Sequence, residues 1–106
     1  MCQMSKKLDP ICPGEILLKE FMEPMGISQN KLSRDIDVPP TRIFDIIHAK
    51  RGITTDTALR LAAYFRTTPE FWMNLQTRYD LKLAKKNIWP DIEKAIRPIQ
   101  EKTVTA

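Results

Sequence analysis

Residues 28–50, SQNKLSRDIDVPPTRIFDIIHAK, compress a short helix, a tight turn and a second short helix into one stretch with a polar outer face. Ser28 is placed to cap free backbone N–H groups where the first helix starts, and Leu32 and Ile36 follow one turn apart as its buried positions. Val38 closes the turn onto the core. The second helix opens at Pro40, where a fixed φ suits the first helical position and the missing N–H is no loss. Ile43, Ile46 and Ile47 give it an apolar face, leaving Thr41, Arg42, Phe44, Asp45 and His48 outside. A helix-turn-helix makes DNA the leading partner, because an α-helix fits the major groove and residues near its N-terminal end reach base edges.

The rest of the chain accommodates that unit. Its 106 residues fit one domain with a single core. A net charge of +4 and a pI of about 9.2 favour a polyanionic partner without requiring one. The distribution says more: residues 1–27 carry −1, 28–55 carry +2, 56–80 sum to zero and 81–106 carry +3. The excess sits in the reading unit and in the tail. Cys2 and Cys12 match no zinc or disulfide-framework spacing and read as inert thiols in a reduced compartment. No apolar run reaches signal-peptide or membrane-span length, so a soluble, cytoplasmic chain with no membrane partner is expected.

Apolar residues recur at helical spacing and strand-like alternation is nowhere sustained, which predicts an all-α fold. Residues 1–12 carry little pattern and are expected to form a loose arm. A first helix is expected from Pro13-Gly14-Glu15, with Leu17 and Phe21 inward and Pro24 with Gly26 ending it. After an exposed turn at Lys50-Arg51-Gly52, Thr54 or Thr55 caps a helix with Asp56 in its first turn and a buried stripe of Leu59, Ala62 and Phe65. Thr68, Pro69 and Glu70 open another, carrying Phe71, Trp72, Leu75 and Tyr79 at spacings of three and four. Five helices would complete a domain over residues 13–83. Residues 84–106 form an extension with a possible short helix around Ile92 and Ile96, stopped by Pro98.

On the second helix of the motif, Thr41 suits a thymine methyl or a hydrogen bond, Phe44 a thymine methyl, and Asp45 cytosine N4. Arg42 is the strongest single candidate, because its fork pairs with guanine or clamps a phosphate. Gln29, His48, Lys50 and Arg51 sit where phosphate contacts fix register. Against this stands the plain alternative that a polar helix face is solvated and that helix pairs occur in bundles that bind no nucleic acid. Asp37 occupies the turn, where a positive φ would favour glycine but aspartate is tolerated.

Pro13-Gly14-Glu15-Ile16-Leu17, Ser28-Gln29, Ile53-Thr54-Thr55-Asp56-Thr57-Ala58-Leu59-Arg60-Leu61 and Pro69-Glu70-Phe71-Trp72-Met73-Asn74-Leu75-Gln76, followed by Tyr79-Asp80-Leu81, resemble the HigA (VapI-type) antitoxins of the Xre/Cro-type helix-turn-helix group. The resemblance covers roughly residues 13–83. It implies a five-helix, lambda-repressor-like DNA-binding domain, a homodimer joined largely through its last helices, and repression of the operon that encodes it from a palindromic operator. It also implies a partner, a small ribosome-dependent mRNA-cleaving toxin of the RelE-like superfamily. Gln29 matches the group's phosphate-contacting position, Pro40, Thr41 and Asp45 its base-facing positions, and His48 and Lys50 backbone-contacting ones. Cys12 stands where histidine is common, Asp37 replaces the turn glycine and Ala49 a glycine near the end of the recognition helix. Pro40 offers no side-chain hydrogen bond, which shifts readout onto Thr41, Arg42 and Asp45, with DNA shape contributing.

Trp72, Tyr79 and Trp89 are candidates for a dimer interface, with Phe71 and Leu75 turned inward; an aromatic stripe at this spacing is more often core, and both roles can hold here. The single histidine excludes histidine-pair ribonuclease chemistry and multi-histidine metal sites, and three glycines supply no phosphate-binding loop. The chain reads as non-enzymatic, without cofactor or metal. Three functions compete: an autoregulating antitoxin, a stand-alone regulator without a toxin, and a protein-binding module with little DNA affinity.

Overall fold

The computed structural model describes residues 11–100, and among them every regular element is helical. Helix α1 runs through three contiguous segments, Pro13–Ile16, Leu17–Met22 and Glu23–Met25. It is followed by α2 (Gln29–Ile36), α3 (Pro40–Ile47), α4 (Thr55–Phe65), α5 (Pro69–Asn87) and α6 (Trp89–Ala95). The starts follow from local chemistry. The Ser28, Thr54 and Thr68 hydroxyls accept from the N–H groups of Lys31, Thr57 and Phe71 at 3.0, 3.4 and 3.1 Å.

Pro24 does not end α1. Lacking an N–H and crowding the Glu20 carbonyl, it is accommodated by a π-helical widening of Leu17–Met22, where Glu23 N–H donates to Leu18 O. The helix then stops at Gly26, φ 66°, with Ile27 N–H on Met22 O. This ending repeats. Asp37, Ala49 and Arg66 hold φ of 61°, 61° and 60°, and the next residues, Val38, Lys50 and Thr67, donate back to Ser33, Asp45 and Ala62.

The core gathers Leu17 and Met22 of α1, Leu32 and Ile36 of α2, Val38, Ile43, Ile46 and Ile47 around α3, Ile53, then Ala58, Leu61 and Ala62 of α4. Trp72 closes it, fully enclosed, with its ring 4.9 Å from that of Phe21 and its Nε1–H donating to Thr67 Oγ1 at 2.8 Å. The expectation that Trp72 reaches a second subunit is therefore corrected: it lies inward, and its neighbour Phe71 is the one partly exposed. Leu59 is likewise 53% exposed, because α4 rotates its face onto Thr57, Ala58, Leu61 and Ala62. Gly14 explains how α1 meets α3: a Cβ there would overlap the Ile46 carbonyl and come within 2.8 Å of Ile47 Cα.

Helix α5 continues through residues 83 and 84 to Asn87, having no breaker there, and α6 packs chiefly against its end. Together they project from the body, giving extents of 56 × 28 × 22 Å and a radius of gyration of 17.2 Å, against about 13 Å for a compact chain of this length. The expected N-terminal arm falls mostly outside the described residues, as does Cys2. Cys12 is buried.

Candidate nucleic-acid interface

Helices α2 and α3 form the reading unit, and the αL residue Asp37 makes the turn between them. Helix α3 buries Ile43, Ile46 and Ile47 and presents Thr41 and Phe44 to solvent, with Asp45 and His48 partly exposed and Lys50 and Arg51 exposed just beyond its end. Pro40 sits exposed at its first position, and Gln29 is half-buried at the start of α2. Eight of the nine residues expected to meet DNA thus show no side-chain hydrogen bond or ion pair to the neighbouring helix α4. The ninth is Arg42.

The exposed face has internal order. His48 stacks on Phe44 with ring centroids 4.0 Å apart, and since a carbonyl only accepts, its Nδ1–H donates to Phe44 O at 2.8 Å. Lys50 Nζ lies 5.6 Å from the Phe44 ring centroid, and Arg51 pairs with Asp45 at 3.9 Å. An apolar ring is thereby held open to solvent with a histidine ring stacked on it and a lysine beside it, a composition that suits a thymine methyl next to a phosphate.

Arg42 points elsewhere. Its Nη1 donates to Asp56 Oδ2 at 3.2 Å, and the same oxygen accepts from Arg60 Nε at 2.9 Å. Arg60 Nη1 in turn donates to the Ile36 and Asp37 carbonyls at 2.9 and 3.3 Å, filling acceptors that the end of α2 leaves open. The hydrogen bond from Arg60, reinforced by Arg42, holds the Asp56 carboxyl below its ordinary range. A second tie joins α2 to α4: the Tyr64 hydroxyl donates to Asp35 Oδ2 at 2.6 Å and Lys31 Nζ to the same atom at 2.9 Å. These bonds, the phenol's first, lower the Asp35 carboxyl and raise Tyr64 and Lys31.

Sequence reading missed Asp56 and Arg60 as members of this site. Their spacing of four within one helix was the available signal; the partners 14 to 24 positions away were not. Among the described residues no cluster of His, Cys, Asp or Glu could hold a metal ion, and no helix is long and apolar enough to cross a membrane.

A family model described as helix-turn-helix matches residues 18–72, and the chain belongs to that class of DNA-binding regulators, which is not a class of enzymes. Virulence-associated protein I of Dichelobacter nodosus is 47% identical, over 76% of this chain and 75% of that one. Antitoxin HigA-1 of Vibrio cholerae is 34% identical, over 88% and 87%. The structure of Pseudomonas aeruginosa antitoxin HigA with the higBA promoter superposes with a TM-score of 0.82 at 43% identity, covering 86% of this chain and 99% of that one. Within the helix-turn-helix class, the chain is a member of the HigA (VapI-type) antitoxin family.

Proposed function

We propose that this chain is the antitoxin of a two-gene toxin–antitoxin pair, a cytoplasmic homodimer that sets two α3 helices into a palindromic operator and represses its own operon. The observation that carries this reading is the outer face of α3, where Thr41, Phe44, Asp45 and His48 are grouped with Lys50 and Arg51 beside a fully apolar inner face. The Pseudomonas relative, solved with its promoter, supports carrying DNA binding across. Base contacts fall to Thr41, Phe44 and Asp45, while Gln29, His48, Lys50 and Arg51 bind phosphates. Pro40 shapes the approach without reading a base.

Neutralisation completes the function. The toxin is a small, basic, RelE-like ribosome-dependent mRNA-cleaving protein encoded beside this chain, a reading that rests on the family resemblance. The exposed apolar residues of the α5 end and α6, Trp89 among them, support a dimer interface there, with half-buried Tyr79 as its marginal candidate.

The test is growth of cells expressing the product of the adjacent small reading frame, with and without this chain, followed by copurification. Arrest relieved by the chain, with a stable complex, is the expected outcome. No toxicity and no complex would overturn the antitoxin reading in favour of a stand-alone DNA-binding regulator.

A further inference from the structure

We infer that Asp56 is a specificity-determining positioning residue: it holds Arg42 against α4, so that the one arginine on the recognition helix acts as a strut between helices and is withheld from DNA. The inference rests on the reading of α3 as the operator-contacting helix.

Arg42 occupies the third position of α3, in the turn that enters a major groove, and its side chain is 29% exposed against 49% for Arg51. Its guanidinium is bound at 3.2 Å to a carboxylate on a different helix. That carboxylate is itself fixed. Asp56 lies in the first turn of α4, behind the Thr54 cap, where a negative charge is favoured, and Arg60 grips the same oxygen while anchored on the carbonyls that end α2. The trio therefore ties the end of α2, the start of α3 and the start of α4 together. An isolated exposed ion pair is weak; here Arg60 already holds the carboxylate, so only the Arg42 side chain has to be ordered to complete the pair. Two consequences follow for readout. A guanidinium that would pair with guanine in the outer turn is removed from the base-reading set, leaving Thr41, Phe44 and Asp45. The phosphate-neutralising cations at the site reduce to Lys50 and Arg51.

The test is the salt dependence of binding to a duplex carrying the chain's own promoter, and to an unrelated duplex, for wild type, Arg42→Gln, Asp56→Asn and the double variant, each confirmed folded by circular dichroism. Each phosphate contact contributes about 0.9 to the slope of log K against log salt. Arg42→Gln is expected to leave the wild-type slope and base preference unchanged. Asp56→Asn frees Arg42, and the slope on both duplexes should steepen by about 0.9. The double variant should return to the wild-type slope, which separates the freed arginine from the mere loss of an acidic charge near DNA. A slope lowered by Arg42→Gln in the otherwise wild-type chain, or a lost guanine preference, overturns the proposal alone, because Arg42 then leaves Asp56 on binding. A steeper slope that persists in the double variant also overturns it. A wild-type chain that binds neither duplex overturns the operator reading itself.

Discussion

Ala49 ends the recognition helix in the left-handed region at φ 61°, with Lys50 N–H closing back on Asp45 O at 2.8 Å. An alanine Cβ there is crowded against the carbonyl, at about 1–2 kcal/mol for a residue other than glycine. Ala49→Gly relieves that crowding but loosens the unfolded chain, so a net gain of about 1 kcal/mol is expected. Urea unfolding at neutral pH measures it; a loss of stability would mean that the strain is absorbed elsewhere in the turn. Glu15 gives a pH-dependent counterpart. It is 5% exposed with Oε1 unpartnered, and burial raises its carboxyl above the ordinary 4.5, with Lys19 opposing only partly. A carboxyl raised on folding favours the folded state while protonated, and its penalty enters as pH rises from 4.5 through the raised value. Glu15→Gln should therefore raise the urea midpoint at neutral pH and leave it unchanged below 4.5. Asp56 and Asp35 work in the opposite direction. Lowered on folding, they add stability above the ordinary 3.8 and lose it as pH falls through their lowered values, a window below that of Glu15. An equal gain at both pH values would deny that Glu15 titrates in the fold.

The elements show what a sequence does and does not disclose. Caps and stops are local, so Ser28, Thr68-Pro69, Pro40 and Asp37 announced the boundaries of α2, α3 and α5, and the isoleucines of α3 announced their face. Faces were harder where apolar residues adjoin. Around α4 the sequence Ala58-Leu59 and Leu61-Ala62 fits two rotations, and contact with α5 chose the one that exposes Leu59. The same ambiguity exchanged Phe71 and Trp72. Pro24 reads as a stop because sequence rules weigh its missing N–H and not a helix's capacity to widen around it. The solvent-facing side of α3 was legible from the motif, while the diversion of Arg42 depends on an acceptor 14 positions away. Gly14 belongs to the same nonlocal class: its lack of a side chain lets α1 lie directly on the carbonyl of Ile46, at the end of α3. Gly14→Ala forces those backbones apart, and a loss of about 1–3 kcal/mol or more is expected in thermal or urea unfolding. The displaced α3 should also bind promoter DNA more weakly. Unchanged stability would mean that α1 is free to move away.

At the scale of the whole molecule, the body and the projecting helices differ in what they leave uncovered. The body encloses Trp72 and packs Phe21 and Phe65 against it, whereas Leu81, Ile88, Trp89, Ile92, Ile96 and Ile99 are between 40% and 79% exposed along the end of α5 and beyond. Leu81, Ala84, Ile88, Trp89 and Ile92 share one shallow apolar depression. Soluble monomers rarely present such a contiguous surface, and a two-fold pairing of this surface with itself would cover it symmetrically. The proposed dimer on a palindromic operator adds a geometric demand, since its two α3 helices would have to stand about 34–36 Å apart to read half-sites one DNA turn apart. A projection whose α5 is one uninterrupted 19-residue helix is suited to set that spacing. Trp89→Asp combined with Ile92→Asp places charge in the surface without touching the core, as both residues are exposed and lie outside the buried cluster. Sedimentation should then show a monomer in place of the proposed dimer, circular dichroism an intact helical body, and promoter affinity a fall toward that of a single half-site. Full operator affinity from a demonstrably monomeric variant would remove the need for the dimer, and a dimer that survives both substitutions would place the interface elsewhere on the chain.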